Sequence, residues 1–460
     1  MLIIVQNLPV AVDRRVWLEC QALVHAGYGV TVICPRGPHE PRHRVQDGVV
    51  IRSYKPAPAA SGVLGYAYEF LYCWLRTAAL SLLALTREGF DSIQACNPPD
   101  TFWALALPYK LLGKTFVYDQ HDLCPEVFRA RFGRNGGKIV RALLWLERCT
   151  YRTADRVIST NGSYRSVALD RGHVDPARVV VVRSGPDPDL MKRGEAHAEL
   201  RLGREHLCCY LGVMGPQDGV DTLVRSIDHL VHGFGRTDTT FALLGFGDCV
   251  PALKRQVSEL GLDDYVVFTG RADSAMIERY LSTADIGLSS DPLNPLNDVS
   301  TMNKTLEYMA YSLPVVAYDL IETRVSAGGA AVYVTPGDEK GYAHALIELL
   351  DDPERRADLG ANGRLRIERS LSWHYSEAVY VWLYDELFDV AHARVPADGS
   401  HDRVIWLDAP AQRDVPQLEQ VESDAAPPAP EQQASHPSGG PATAPDDRIL
   451  LDTTIGEQDR

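Results

Sequence analysis

The 460-residue chain carries 46 Lys and Arg against 61 Asp and Glu, a net charge of -15, with 45% hydrophobic and 23% charged residues. This is the make-up of a globular protein with room for two or three domains, and the negative balance excludes a general nucleic-acid binder. From Pro396 onward 13 acids face four arginines, leaving 48 acids and 42 bases in the body, so the tail carries most of the excess.

The nine cysteines are scattered and form no CxxC pair, which predicts reduced thiols and a cytoplasmic setting. Met1–Val5 lacks the basic flank of a signal peptide and reads as a first buried strand. Residues 63–85 are long enough to span a bilayer, yet Glu69 and Arg76 fall seven apart on one helical face. The expectation is a buried or interfacial helix with a peripheral contact at the inner face of a membrane, and not a transmembrane span.

In chain order, Leu2–Val5, Val30–Cys34, Val49–Ser53, Ser92–Cys96, Thr115–Tyr118, Arg156–Ser159 and Val179–Val182 read as strands. Between them Asp13–Ala26, Tyr66–Leu85, Thr101–Leu112 and Lys138–Arg152 read as helices, the alternation of parallel strands with crossover helices. A break at Ser184–Asp189 precedes a second run that starts at Cys208–Leu211. The division is therefore a first domain over 1–187 and a second over 188–371, with a helix over 372–395 returning to the first domain. A Pro-, Ala- and Asp-rich tail over 396–460 is expected to be disordered. Two α/β halves of this kind place ligands in the cleft at the carboxyl ends of their strands.

The run from Asp291 to Ala310 is a polar, turn-rich loop that delivers Lys304 and Glu307 to the start of a helix. Free N–H groups at a helix start suit an anion, and Lys304 adds a positive charge. Glu307, one turn on, can accept hydrogen bonds from vicinal hydroxyls. A phosphate beside a diol is what a nucleotide presents.

With these residues in place the chain resembles the family 4 glycosyltransferases. The segments that carry the resemblance are Trp17–Pro35, Tyr118–Glu126 with its His121-Asp122 pair, Leu243–Asp248, Val267–Arg271, Lys304–Ala317 and Ser372–His374. The resemblance covers residues 1 to about 392 and implies the GT-B fold, two doubly wound Rossmann-like domains facing a cleft. It also implies transfer of a hexosyl group from a nucleoside-diphosphate sugar with retention, without a metal and without a separate cofactor. His121 would sit beside the transferred sugar. Glu307, Lys304, Asn303, Thr301, Gly215 and Arg271 would hold the donor. No Asp-x-Asp pair is singled out as a divalent-ion site. Asp13, Arg14 and Arg15, at the first helix start, form a cationic spot suited to a phosphate-bearing acceptor such as a lipid-linked sugar, and Asp100 reads as a helix N-cap.

The chain departs from the family pattern at three positions. Val299 stands where the first Glu of the E-x7-E donor motif belongs, and Val213 and Asp218 stand where phosphate-binding cations belong. Lys304 is the expected replacement, with Arg183, Arg271 and Arg324 as helpers, and Asp298 or Ser300 would take over contacts to the sugar. The reading is a glycosyltransferase for a glycan or lipid-linked acceptor in surface polysaccharide or glycoconjugate assembly. A nucleotide-sugar 2-epimerase on the same fold and a non-catalytic binding module are its rivals.

Overall fold

Buried, largely apolar strands such as VTVICP and VVAY form the centre of each half of the molecule. The computed structural model describes residues 1–58, 62–133 and 137–390. The first sheet has eight strands: β1 (Leu2–Ile4), β2 (Val30–Pro35), β3 (His43–Gln46), β4 (Val49–Tyr54), β5 (Ser92–Cys96), β6 (Thr115–Gln120), β7 (Arg156–Ser159) and β8 (Val179–Val181). Their order is β3-β4-β2-β1-β5-β6-β7-β8, parallel throughout except for β3, which pairs antiparallel with β4 at the edge. The second sheet orders six parallel strands β11-β10-β9-β12-β13-β14. They are β9 (His206–Val213), β10 (Thr239–Phe246), β11 (Val266–Gly270), β12 (Ile286–Ser289), β13 (Val315–Tyr318) and β14 (Ala331–Val334).

In each sheet the strand order reverses beside the first strand, β1 in one and β9 in the other. Ligand crevices open at such points. The loops that border them here are 5–13 after β1, 97–102 after β5, 214–219 after β9 and 290–302 after β12. At the end of β10, Gly245 and Gly247 have φ of 154° and 155°. A Cβ on Gly245 would collide with the Gly212 carbonyl oxygen, and one on Gly247 with that of Met214. Only glycine lets the ends of β9 and β10 approach this closely.

Helices cover both faces of the first sheet. On one side α1 (Arg14–His25) and α14 (Trp373–Leu387) pack together over Ile3, Val32 and Val117, with Trp373, Val379, Tyr380, Leu383 and Tyr384 of α14 buried among Val16, Cys20 and Leu23 of α1. On the other side lie α2 (Gly62–Arg87), α3 (Trp103–Leu111), α5 (Gly137–Thr153) and α6 (Gly162–Asp170). Asp13 caps α1 by accepting the Val16 N–H at 3.2 Å. Asp100 does not act as a cap. It is buried and accepts from Tyr118 Oη at 2.6 Å and Asn97 Nδ2 at 3.0 Å, so its carboxylate serves the loop after β5 instead.

The edge strand β3, with exposed and half-buried residues in alternation, and the short helices α4 (Cys124–Phe132) and α6 are features that the sequence reading passed over. All nine cysteines are free thiols. Among the described residues no helix is long and apolar enough to cross a membrane. The expected tail over 396–460 and the end of the 372–395 segment lie outside the described residues.

Candidate functional site

A cleft of about 160 Å³ opens between the two sheets. Its walls are Arg14 and Arg15 of α1, Ser184–Pro186 of the linker, Asn303 and Glu307 of α10 (Asn303–Ala310), and Trp373 of α14. The first turn of α10 has no side-chain cap, and the N–H groups at such a helix start suit an anion. Gly185 sits against the start of α14, where Trp373 N–H donates to Pro186 O at 3.0 Å and closes the seam.

Glu307 forms an ion pair across this cleft. Arg14 Nη1 lies 2.9 Å from Glu307 Oε1, with the Arg14 side chain 45% and the Glu307 side chain 19% exposed. Burial raises the Glu307 pKa and the Arg14 charge opposes that rise.

Arg15, the next residue, turns inward. Its Nη2 is 3.1 Å from Asp119 Oδ1, its Nε 3.0 Å from Glu19 Oε1, and its Nη1 donates to Val182 O at 2.8 Å. Its donors are committed to the protein interior, so the expected role of Arg15 as an acceptor contact gives way to a structural one. Asp13 is likewise occupied as a cap.

His121 directly follows β6 beside this cation, with Nε2 2.8 Å from Asp119 Oδ2 and 3.2 Å from Arg15 Nε. One ring nitrogen cannot donate to a carboxylate and accept from a guanidinium at once. The shorter, charge-assisted contact assigns the Nε2 proton to the bond with Asp119 and leaves Nδ1 outside it. Burial would lower the His121 pKa, but the Asp119 carboxylate outweighs it and the net shift is upward. Asp119 is held well below the usual carboxylate range: burial opposes this, and the His121 and Arg15 charges prevail. Glu19 moves the other way, pushed up to about 8 by burial and the neighbouring Asp119 carboxylate against the pull of Arg15. Glu19, Cys96, Asp119 and His121 bring potential ligand atoms within 4.8 Å of one another, but the Arg15 guanidinium already supplies the cation there.

On the second domain Lys304 reaches the end of β9 and the loop after β12. Its Nζ is 2.6 Å from the buried Asp291 Oδ1 and 4.9 Å from the Tyr210 ring centre. The Gly215 N–H, an expected phosphate donor, is taken by Asp218 Oδ2 at 2.8 Å. Burial raises the Asp218 pKa, with Lys304 opposing.

Arg271 stacks over Phe246 at 4.8 Å, at the ends of β11 and β10. Arg183 pairs with buried Glu322 at 3.7 Å, and Arg324 pairs with Asp319 and covers the Tyr333 ring, so neither points a free charge at the loop after β9. Asp298 accepts the Ile321 N–H at 2.9 Å. Thr301 and the Val299 carbonyl both accept from Asn161 Nδ2, at 3.0 and 2.9 Å, and Ser300 bonds the Tyr164 hydroxyl at 2.9 Å. A brace from the start of α6 thus holds the loop at Val299–Thr301.

The structure therefore brings Asn303, Glu307 and Arg14 into one cleft, with His121 beside Arg15 on its first-domain wall. Lys304 pairs with Asp291 beside the end of β9, the Gly215 N–H is held by Asp218, and Arg271 stands with Phe246. Sequence reasoning missed Gln94, Asp119, Asn161 and Tyr164. Signals existed for two of them: Gln94 is polar within the buried run Ser92–Cys96, and Asp119 stands two residues before His121 at the end of β6. Asp187-Pro188-Asp189 is an Asp-x-Asp pair that also went unnoticed. With His374 its potential ligand atoms fall within 4.8 Å of one another.

Two family descriptions match the chain: "Glycosyl transferase 4-like domain" over residues 11–185 and "Glycosyl transferases group 1" over 205–352. A D-inositol 3-phosphate glycosyltransferase of Thermobispora bispora is 26% identical over 258 residues, 53% of this chain and 58% of that one. A GDP-mannose-dependent alpha-(1-6)-phosphatidylinositol monomannoside mannosyltransferase of Mycolicibacterium smegmatis is 30% identical over 210 residues, 43% and 51% of the two chains. The chain thus spans little more than half the length of these relatives.

Among solved structures, a sucrose-phosphate synthase of Thermosynechococcus elongatus aligns with a TM-score of 0.69 and 19% identity over 84% of this chain and 98% of that one. HepE of Anabaena in complex with UDP-glucose aligns with a TM-score of 0.65 and 16% identity over 85% and 99%. Both likenesses are of fold, and the fold is GT-B. With one matched family on each of its two Rossmann-like domains, the chain belongs to the family 4 glycosyltransferases.

Proposed function

We propose that the protein transfers a hexosyl group from a nucleoside-diphosphate sugar to a glycan or lipid-linked acceptor, with retention and without a metal, in the assembly of a surface polysaccharide or glycoconjugate. The observation that carries this reading is the cleft itself, where α10 brings Asn303 and Glu307 opposite the first-domain wall that holds His121. Glu307 is the ligand for the donor ribose. The uncapped start of α10 and Lys304 face the leaving diphosphate, whose growing charge such dipoles and cations stabilise. His121, with Nε2 tied to Asp119, offers Nδ1 to the transferred sugar. Relatives named for GDP-mannose and a phosphatidylinositol mannoside support a sugar-nucleotide donor and a lipid-bearing acceptor, and HepE, solved with UDP-glucose, supports the same donor class.

A peripheral membrane contact belongs to the same proposal. Tyr68, Leu71, Leu75 and Leu82 are exposed along α2, and Trp145 is exposed on α5 beside Lys138, Arg141, Arg148 and Arg152. Apolar and basic side chains on one helical layer suit an anionic lipid surface.

The test is release of nucleoside diphosphate from UDP-, GDP-, ADP- and dTDP-sugars, with and without a membrane extract as acceptor, in EDTA. The proposal expects one donor to turn over only with acceptor, and His121→Ala to slow it at least about a hundredfold. Donor consumption without acceptor would favour the epimerase, and no consumption at all would favour a binding module.

A further inference from the structure

The C-terminal helix α14 crosses back to the first domain and ends in the hydrogen-bond network beneath His121. Tyr380 and Tyr384 each donate a hydroxyl to Gln94 Oε1, both at 2.6 Å. Gln94 Nε2 donates to Glu19 Oε2 at 2.8 Å and to Asp119 Oδ2 at 2.9 Å. The amide is fully used, with two bonds at its oxygen and one for each N–H, and all of its partners are buried. Its orientation is fixed as well, because a flipped amide would turn its oxygen toward two carboxyl groups.

Asp119 Oδ2, which receives one of these N–H groups, is the same atom that receives His121 Nε2 at 2.8 Å. We propose that Gln94, oriented by Tyr380 and Tyr384 of α14, is a positioning residue for His121. It holds the Asp119 carboxylate in place and so decides which ring nitrogen of His121 carries the proton.

This inference rests on the reading of His121 as the group beside the reacting sugar. The charged and titratable groups that act on His121 are Asp119 of β6 and Arg15 and Glu19 of α1. Asp122 and Cys96 stand close by, and Tyr380 and Tyr384 of α14 border Glu19 and Asp119. Burial raises Glu19 to about 8, so near neutral pH it donates or shares a proton while Asp119 keeps its charge. The Gln94 amide donates to both carboxyls, which also bond one another directly.

The test is a titration of the His121 ring by nitrogen NMR in histidine-labelled protein, with the signal identified by its loss in His121→Ala. Wild type should show one tautomer, protonated at Nε2. Gln94→Glu puts a third carboxyl beside the cluster and should raise the His121 midpoint by about one pH unit, with any pH limb of turnover moving in step. Tyr380→Phe with Tyr384→Phe frees the amide and should give a mixture of the two tautomers without unfolding.

An unchanged tautomer and midpoint in both variants, with only a lower melting temperature, would overturn the inference and leave Gln94 as core packing. The NMR readout needs no substrate, so a failed transferase assay is distinguishable from a failed positioning role. If one variant does not fold, the other still decides.

Discussion

Arg14 on the first domain and Glu307 on the second meet at 2.9 Å across the cleft, so the carboxylate assigned to the donor ribose is already paired in the free protein. Two further recognition groups are satisfied internally in the same way: the Gly215 amide by Asp218 and the Lys304 ammonium by Asp291. Donor binding on this account is an exchange of partners. It trades internal contacts for contacts to ribose and phosphate, and each internal contact weakens the apparent affinity.

Arg14→Ala should tighten nucleotide binding. The pair is partly exposed, and such pairs contribute about 0.2–1 kcal/mol, so the gain in affinity should be up to about fivefold with little change in melting temperature. Isothermal titration with the nucleotide of choice reads this directly. A loss of affinity would mean that Arg14 binds the ligand itself.

Asp218→Asn keeps an acceptor for the Gly215 amide and removes a negative charge from the phosphate side of the cleft. Nucleoside diphosphates should bind about fivefold tighter or more, while nucleosides without phosphate should be unaffected. Equal effects on both ligand types would show that Asp218 does not face the diphosphate.

Lys304→Ala leaves the buried Asp291 carboxylate without its ion pair, a change that costs about 3–5 kcal/mol in comparable sites. Its effect on binding is therefore confounded by stability. Lys304→Ala with Asp291→Asn should recover most of the melting temperature and still fail to respond to a nucleoside diphosphate. Recovery of both would assign Lys304 a purely structural role.

Glu19 gives a pH dependence of defined sign. Its folded pKa of about 8 lies above the ordinary glutamate value of 4.5, so between these values the folded state holds more protons than the unfolded one. Stability should fall as pH rises through that window, at up to about 1.4 kcal/mol per pH unit. Asp119 works in the opposite sense: its lowered pKa contributes stability above the ordinary carboxylate range that is lost in acid. Glu19→Gln should flatten the decline above pH 5 and leave the acid limb in place, as chemical denaturation at a series of pH values would show.

The architecture was legible because it rests on local pattern. Buried runs such as Val30–Cys34 and Cys208–Leu211 announce strands, and the run from Asp291 to Ala310 announces a loop and a helix start. The edge strand β3 was not, since His43–Gln46 is half exposed and has no apolar run to mark it. At the site, spacing identified Glu307, Asn303 and Lys304 as neighbours on one helix.

What spacing could not supply was partnership across the chain. Arg14 with Glu307, Asn161 with Thr301 and Gln94 with Tyr380 are separated by 293, 140 and 286 residues. Arg15 shows the consequence. In the sequence it is one of two adjacent arginines at a helix start, and only the fold shows that one faces the cleft while the other neutralises Asp119 inside the protein.

The most direct test of the account is a thermal-shift panel of UDP, GDP, ADP, CDP and dTDP on the wild type and on Glu307→Ala. A ligand that binds the native state raises the melting temperature by mass action. The account predicts that one diphosphate stabilises the wild type clearly, and that Glu307→Ala melts near the wild-type temperature but loses the ligand response. No shift with any nucleotide at millimolar concentration, or an equal shift in the Glu307 variant, would contradict the assignment of this cleft as the donor site.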